Sequence, residues 1–297
     1  MARKPLFSRP DGTYLKKVDP FMRFFPYIMK GRNESAVYFK QPIDITNLRA
    51  YLNEKNRAAA ASGHGAKSTL FHAILAAMIQ TVVERPQVNR FVIGRRVYQR
   101  NRISCAFVIK SEFRDDANEE IAIMKFYPND TLETISARIR EETQKIREAS
   151  RQNNKKRHGA VNWFNYLMNL PRIILRGFVK FLGFLDYHGW LPGWVVDVDP
   201  MHTSIFISNL GSLQVDAPFH HLYEWGTTSV FMTIGVAAKA PAVMPDGTIG
   251  IREYVNVALT LDERISDGYY FSKSIKRFQH LLENPAELEK PAKPGKS

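Results

Sequence analysis

The stretch TLDERISDGYYF, residues 260–271, places two carboxylates and a guanidinium in a row (Asp262, Glu263, Arg264) and follows them with Asp267 and Gly268. Such a set has two physical uses. One is a catalytic turn. Asp-Gly before a helix can equally be a plain N-cap. Polar groups at the end of an interior strand, beside a helix N-terminus, are also where preorganised sites are commonly built. The residues alone leave both uses open. Ser208, in FISNLG, is a second candidate: a site donor or a plain strand-end hydroxyl. No G-x-S-x-G elbow surrounds it, which disfavours a hydrolase-type nucleophile.

Other reactive side chains carry weaker signals. The eight histidines show no H-E-x-x-H or comparable spacing, so no metal is expected. His72 falls on an apolar helix face and reads as a core histidine, while His220-His221 is the one adjacent pair. Cys105, the single cysteine, reads as a small core residue of a strand. Residues 58–67, AAAASGHGAK, suggest a phosphate loop only superficially, because GxxxxGK[ST] needs glycines where Ala61 and Ala66 stand. They read instead as a flexible connection.

The elements that must position these residues follow from periodicity. Ala36–Phe39 reads as a short strand, with Asp44 or Thr46 capping a following helix. From Ser68, taken as a cap, apolar residues at Leu70, Phe71, Ile74, Leu75, Met78, Val82 and Val83 predict a helix buried along a broad face and stopped by Pro86. Strand-like runs with a basic Gly94-Arg95-Arg96 turn come next, then an amphipathic helix over 131–150 opened by Asp130 or by a capping box at Thr131. After the basic RQNNKKRH of residues 151–158, a largely apolar segment to about Trp194 carries Arg172, Arg176 and Lys180 at four-residue spacing. It reads either as a helix buried against the body or a neighbouring subunit, or as an interfacial helix on an anionic membrane. TSIFISNLGSL, TTSVFMTIGVAAKA and REYVNVALTLD read as strands, and residues 269–282 as a closing amphipathic helix.

Composition bounds the class. With 297 residues, 44% of them apolar, the chain can bury a substantial core as one large domain or two small ones. Its formal charge of +13 favours an anionic partner: nucleic acid, an anionic membrane surface or a phosphorylated small molecule. No nucleic-acid signature or groove-facing basic helix emerges, so that class is disfavoured. One cysteine excludes an intrachain disulfide framework and fits a reducing compartment. Neither a secretory signal nor a run of about 20 apolar residues is present. A cytoplasmic protein, soluble or peripheral to a membrane, is expected.

Taken in order, RPQVNRFV after a buried helix, FISNLG, a strand ending in TIG, and DERISDG before a final helix resemble the chloramphenicol acetyltransferase-like superfamily. The closer likeness is to the catalytic domain of the 2-oxoacid dehydrogenase acyltransferases, over roughly residues 35–285 and most strongly from Thr203 to Pro285. The resemblance implies an α/β (α+β) two-layer sandwich with a mixed sheet, and a homotrimer with active sites in channels between subunits. Coenzyme A or acyl-CoA, as substrate, would enter one end and a small-molecule thiol or hydroxyl acceptor the other. It also implies an organisation: an N-terminal arm, 1–34; the catalytic domain, 35–285, with an inserted hydrophobic and basic segment, 163–192; and a disordered tail, 286–297.

In the family motif D-H-R-x-x-D-G the histidine accepts the acceptor's proton; here Glu263 stands in its place. Asp267 matches the structural aspartate, Ser208 the hydroxyl that stabilises the oxyanion, and Thr233 a second, water-holding hydroxyl. A carboxylate of reference pKa about 4.3 takes a proton from a thiol of about 8.5 at a cost of roughly 6 kcal/mol. Burial narrows that gap and a nearby helix N-terminus widens it. Three readings follow. One is a working CoA-dependent acyltransferase with Glu263 as base, or with His220 or His221 in that role. Another is a degenerate member, a pseudoenzyme, that binds or scaffolds. The third is a membrane-associated relative docked through residues 163–187. The short arm leaves no place for a lipoyl domain, so a core role in a conventional dehydrogenase complex is not expected.

Overall fold

A computed structural model of the chain describes residues 9–63, 67–110, 119–151 and 169–295. Residues 152–168, which hold most of the basic run and the start of the inserted segment, lie outside the described residues, as do His64 and His158.

The strands are β1 (Gly12–Tyr14), β2 (Ala36–Asp44), β3 (Arg90–Ile93), β4 (Arg96–Arg100), β5 (Ile103–Lys110), β6 (Glu119–Phe126), β7 (Ile205–Asn209), β8 (Val230–Val243) and β9 (Ile249–Asp262). Among the described residues they form two sheets: β1-β4-β3, and a larger one ordered β2-β9-β8-β7-β5-β6. The larger sheet is mixed, since β7 pairs parallel with both β5 and β8 while its other pairs are antiparallel.

Side chains two apart share a sheet face, and this splits the strands cleanly. Cys105, Phe107, Ile205, Ile207, Val230, Met232, Val257, Leu259 and Leu261 all enter the main core. The helices α2 (Thr46–Ser62), α3 (Leu70–Glu84), α4 (Leu132–Arg151) and α7 (Gly268–Glu283) are the other elements of this architecture, with α3 touching both α4 and α7. Because α3 is enclosed this way it is buried nearly all round, from His72 to Val83. The opposite sheet face carries Ala106, Phe206 and Phe231, packed under Leu222 and Tyr223 of the loop before β8. Ser208, Thr233 and Asp262 belong to this second face by parity.

Local expectations needed three corrections. Residues 58–67 are not wholly a flexible connection: α2 runs on to Ser62 through the alanines, the best helix formers, and ends at Gly63 in the left-handed region at φ 65°. Thr69, not Ser68, caps α3. Its hydroxyl accepts from the His72 amide while His72 Nδ1 accepts from the Thr69 amide, and Ser68 is held instead by Asn56 and Ser136. Burial holds the His72 imidazole down at about 4, so it is a neutral core residue. Finally, residues 286–295 are ordered despite their Pro- and Lys-rich composition. Leu288 is fully buried, Gln80 donates to the Lys290 carbonyl, and Glu289 pairs with Lys55 and Tyr51.

The described part of the inserted segment contains α5 (Arg172–His188), and α6 (Gly193–Val198) follows the segment. Within the chain α5 is only partly covered. Leu175, Phe178, Leu182 and Leu185 are half-buried and Asp186 is buried, while Ile173 is 87% exposed and Phe184 51%. Gly189, in the left-handed region at φ 76°, ends α5. Among the described residues no helix is long and apolar enough to cross a membrane.

Candidate functional site

The DERISDG turn begins where β9 meets β2, with Asp262 opposite Ala36. Asp262 is fully buried. Its carboxylate accepts two bonds from the Arg264 guanidinium, Nε and Nη2 both at 2.8 Å, one from the Arg264 amide at 3.1 Å and one from Ser35 Oγ at 3.1 Å. Arg264, also buried, donates its remaining Nη1 to the Met29 and Lys30 carbonyls just past helix α1 (Pro20–Ile28). Burial alone would lower the arginine, but its bonds to Asp262 hold it above its ordinary value. The pair therefore clamps the turn to the N-terminal arm.

Glu263, between them, opens a single 3-10 turn and is half-buried. Its amide donates to the Ser35 carbonyl at 2.9 Å. Among the described residues no hydrogen bond or ion pair holds its carboxylate. Asp267 is exposed and caps α7, accepting from the Tyr270 amide at 2.7 Å. This is the N-cap that the Asp-Gly pair predicts.

Ser208 and Thr233 are direct neighbours across the parallel β7–β8 pair. Thr233 is buried and its hydroxyl donates to the Pro218 carbonyl, so only its lone pairs remain for a water. Ser208 is half-buried, and its hydroxyl has no partner among the described residues.

These two halves do not meet within one chain. Asp262 is level with Ser229, to whose carbonyl its amide donates, and through the β7–β8 register with Ser204. Ser208 is four residues further along and two strands across, about 13 Å by about 10 Å, or roughly 16 Å in all. Glu263 lies beyond that. His220 sits on the half that holds Ser208: its ring stacks on Phe231 with centroids 3.9 Å apart, one i,i+2 step from Thr233 on the same face. Burial pushes this imidazole below its ordinary value. His221 lends its carbonyl to His220 Nδ1 at 2.7 Å.

A further cluster left little trace in the local pattern. Arg9 bonds Asp11 at 2.9 Å and Asp186 at 2.7 Å; His202 bridges Asp199 at 2.9 Å and Asp186 at 3.4 Å; Arg100 donates to the His202 and Thr227 carbonyls. Burial opposes charge on Asp186, but His202 and Arg9 hold its carboxyl at about 2. Burial likewise opposes a charged His202, and bonds from Asp186 and Asp199 outweigh it and raise the imidazole. The cluster ties the arm and the end of α5 to the loops at the N-terminal ends of β7 and β8. Among the described residues no group of side chains is arranged to hold a metal ion, and burial pushes the Cys105 thiol up, away from reactivity.

Residues 198–289 match the family model for the 2-oxoacid dehydrogenases acyltransferase (catalytic domain). A curated relative is the lipoamide acyltransferase component of the branched-chain alpha-keto acid dehydrogenase complex of Bacillus subtilis (strain 168). It is 22% identical over 242 residues, which are 82% of this chain and 45% of that protein. The chain thus spans less than half the length of that relative. Among solved structures, a probable dihydrolipoamide acetyltransferase from Listeria monocytogenes 4b F2365 superposes with a TM-score of 0.58 at 16% identity, covering 92% of this chain and 95% of the other. The dihydrolipoamide acetyltransferase (E2p) of Azotobacter vinelandii gives 0.59 at 16% identity, covering 92% and 93%. At such identities the likeness is one of fold. The resemblance to the 2-oxoacid dehydrogenase acyltransferase catalytic domain therefore holds in sequence over residues 198–289 and in fold over nine-tenths of the chain.

Proposed function

We propose that this chain is a CoA-dependent acyltransferase whose active site is completed between subunits of a homotrimer. The observation that carries the reading is the separation of Ser208 from the Asp262-Glu263-Arg264 turn on one sheet face, which lets each half serve a neighbour's complement. Apolar Val243, Ile249 and Ile251, exposed near the far end of the β8–β9 hairpin, are available for subunit contact. In the reaction Glu263 takes the proton of the acceptor's thiol or hydroxyl, and that sulfur or oxygen attacks the thioester carbonyl of acyl-CoA. The Ser208 hydroxyl donates to the oxyanion that forms. Collapse breaks the carbon–sulfur bond, and the departing CoA thiolate recovers the proton from Glu263. The products are acylated acceptor and free CoA.

The test is subunit mixing. Ser208→Ala and Glu263→Gln chains are each expected to be inactive, yet co-assembled in equal amounts they restore about a quarter of the sites, because a head-to-tail ring gives half times half of its interfaces both intact residues. Thiol release from acetyl-CoA with small thiol and hydroxyl acceptors measures it. Failure of the wild type to bind CoA rejects the enzyme outright. An active wild type whose mixed trimers stay dead rejects the shared site.

One observation favours a second reading, a degenerate member that binds or scaffolds: nothing among the described residues orients the Glu263 carboxylate. A scaffold needs a surface to dock on, and α5 offers one. Arg172, Arg176 and Lys180 are exposed beside Ile173 and Phe184, its one acid, Asp186, faces inward, and Trp190 and Trp194 stand out nearby. This is the chemistry of an interfacial helix on anionic lipid. Reversing the three basic residues to glutamate is expected to weaken binding to phosphatidylglycerol vesicles at least a hundredfold, at about 1 kcal/mol per basic residue removed. Equal sedimentation of wild type with neutral phosphatidylcholine vesicles rejects docking on anionic lipid.

A further inference from the structure

The hairpin joining β3 to β4 turns through Gly94 and Arg95, both in the left-handed region at φ 58°. This is the conformation of a two-residue hairpin turn that glycine and asparagine suit best. Gly94 is required, because a Cβ there would sit 2.3 Å from the Tyr187 carbonyl. Arg95 is not sterically required, and its side chain stands at the junction of two cavities.

The first cavity, about 320 Å³, lies between the hairpin and helix α1. Arg23, Arg95 and Arg96 line it together with the rings of Tyr14, Phe24 and Tyr27, and among the described residues no carboxylate does. Arg95 holds its guanidinium carbon 5.4 Å from the centre of the Tyr27 ring. Phe24, Tyr27 and Arg95 are exposed, so the cavity is reached from solvent. The second cavity, about 290 Å³, has Arg95 on one wall and Arg264 of the DERISDG turn on another, with Glu224 the one acid among the described residues that line it. That acid is already taken up by the Arg32 and Asn33 amides.

Guanidiniums lining one cavity draw an anion into it, and their planar forks suit phosphate oxygens. Aromatic faces at the same place suit a flat ring, which they hold by stacking. The volume is at the small end of ligand pockets. We propose that the cavity between α1 and the β3–β4 hairpin is a nucleotide site, in which Arg23, Arg95 and Arg96 bind phosphate and Tyr27 or Phe24 stacks on the base. The site goes beyond the acyl-transfer reading and stands or falls without it. Its occupant is either a free nucleotide or the nucleotide end of CoA, which share this chemistry.

Isothermal titration of the full chain with adenosine 3′,5′-bisphosphate tests it. Wild type is expected to bind, and Arg95→Ala to bind at least tenfold more weakly. Arg95→Gly is expected to match that loss while favouring the turn, so misfolding does not explain it. Tyr27→Ala weakens the bisphosphate more than inorganic phosphate, and Lys239→Ala, exposed on β8, leaves both unchanged. Competition by CoA assigns the site to the acyl donor; simultaneous binding of CoA and AMP assigns it to a free nucleotide. Unaltered binding by Arg95→Gly, or equal affinity for inorganic phosphate and bisphosphate, overturns the proposal. Because binding is read directly, an inactive transferase does not affect the outcome.

Discussion

Replacing Asp262 with alanine is expected to lower the unfolding free energy by about 3–5 kcal/mol, the usual consequence of leaving a buried charge without its partner. Asp262 is fully buried and Arg264 4% exposed, so water cannot replace the lost carboxylate. The substitution strands Nε and Nη2 of Arg264 together with the Arg264 amide, and removes the acceptor of one Ser35 hydroxyl bond. Asp262→Asn keeps the shape and one acceptor oxygen, so a smaller loss is expected. Pairing Asp262→Ala with Arg264→Met removes the stranded charge and should recover part of the stability. Urea titration of the single and double variants measures each value. A loss below about 1 kcal/mol for Asp262→Ala would be that of an exposed pair and would contradict the burial.

Glu263→Gln is expected to lower acyl transfer by about 10²–10⁴ with CoA affinity unchanged, the range for removing a general base. Glutamine keeps the size and an acceptor oxygen but does not take up a proton at neutral pH. Glu263→His is expected to exceed wild type, since imidazole closes about half of the roughly 4-unit gap between a carboxylate and a thiol. Steady-state thiol release at saturating acetyl-CoA separates the two variants. If Glu263→Gln is unimpaired, the proton goes elsewhere, and His220→Ala then has to abolish turnover: His220 is the imidazole stacked on Phe231, on the face that carries Ser208. If both variants are as active as wild type, neither residue is the base.

Much of the architecture was legible because it rests on short-range periodicity. REYVNVALTLD alternates because β9 has one face in the core, and Val255, Val257, Leu259 and Leu261 are all buried as that alternation requires. Asp267-Gly268 read as a cap and is one. The order of FISNLG and DERISDG pointed to the acyltransferase-like fold, which the superpositions bear out. The burial of α5 was less legible. An apolar helix is apolar whether protein, a second subunit or lipid covers it, so the pattern left its exposure open.

Sequence alone thus determined which segments are strands and helices, which face of each is apolar, and where the DERISDG turn falls, because these depend on neighbours two to four positions apart. Tertiary structure decided the rest. Arg9 finds Asp186 across 177 positions, and Ser35 finds Asp262 across 227. Three arginines meet three rings only where α1 and the β3–β4 hairpin come together. The β7–β8–β9 register keeps Ser208 from Glu263. No local pattern encodes register or long-range charge pairing, since a strand slid by two residues presents the same face to the core.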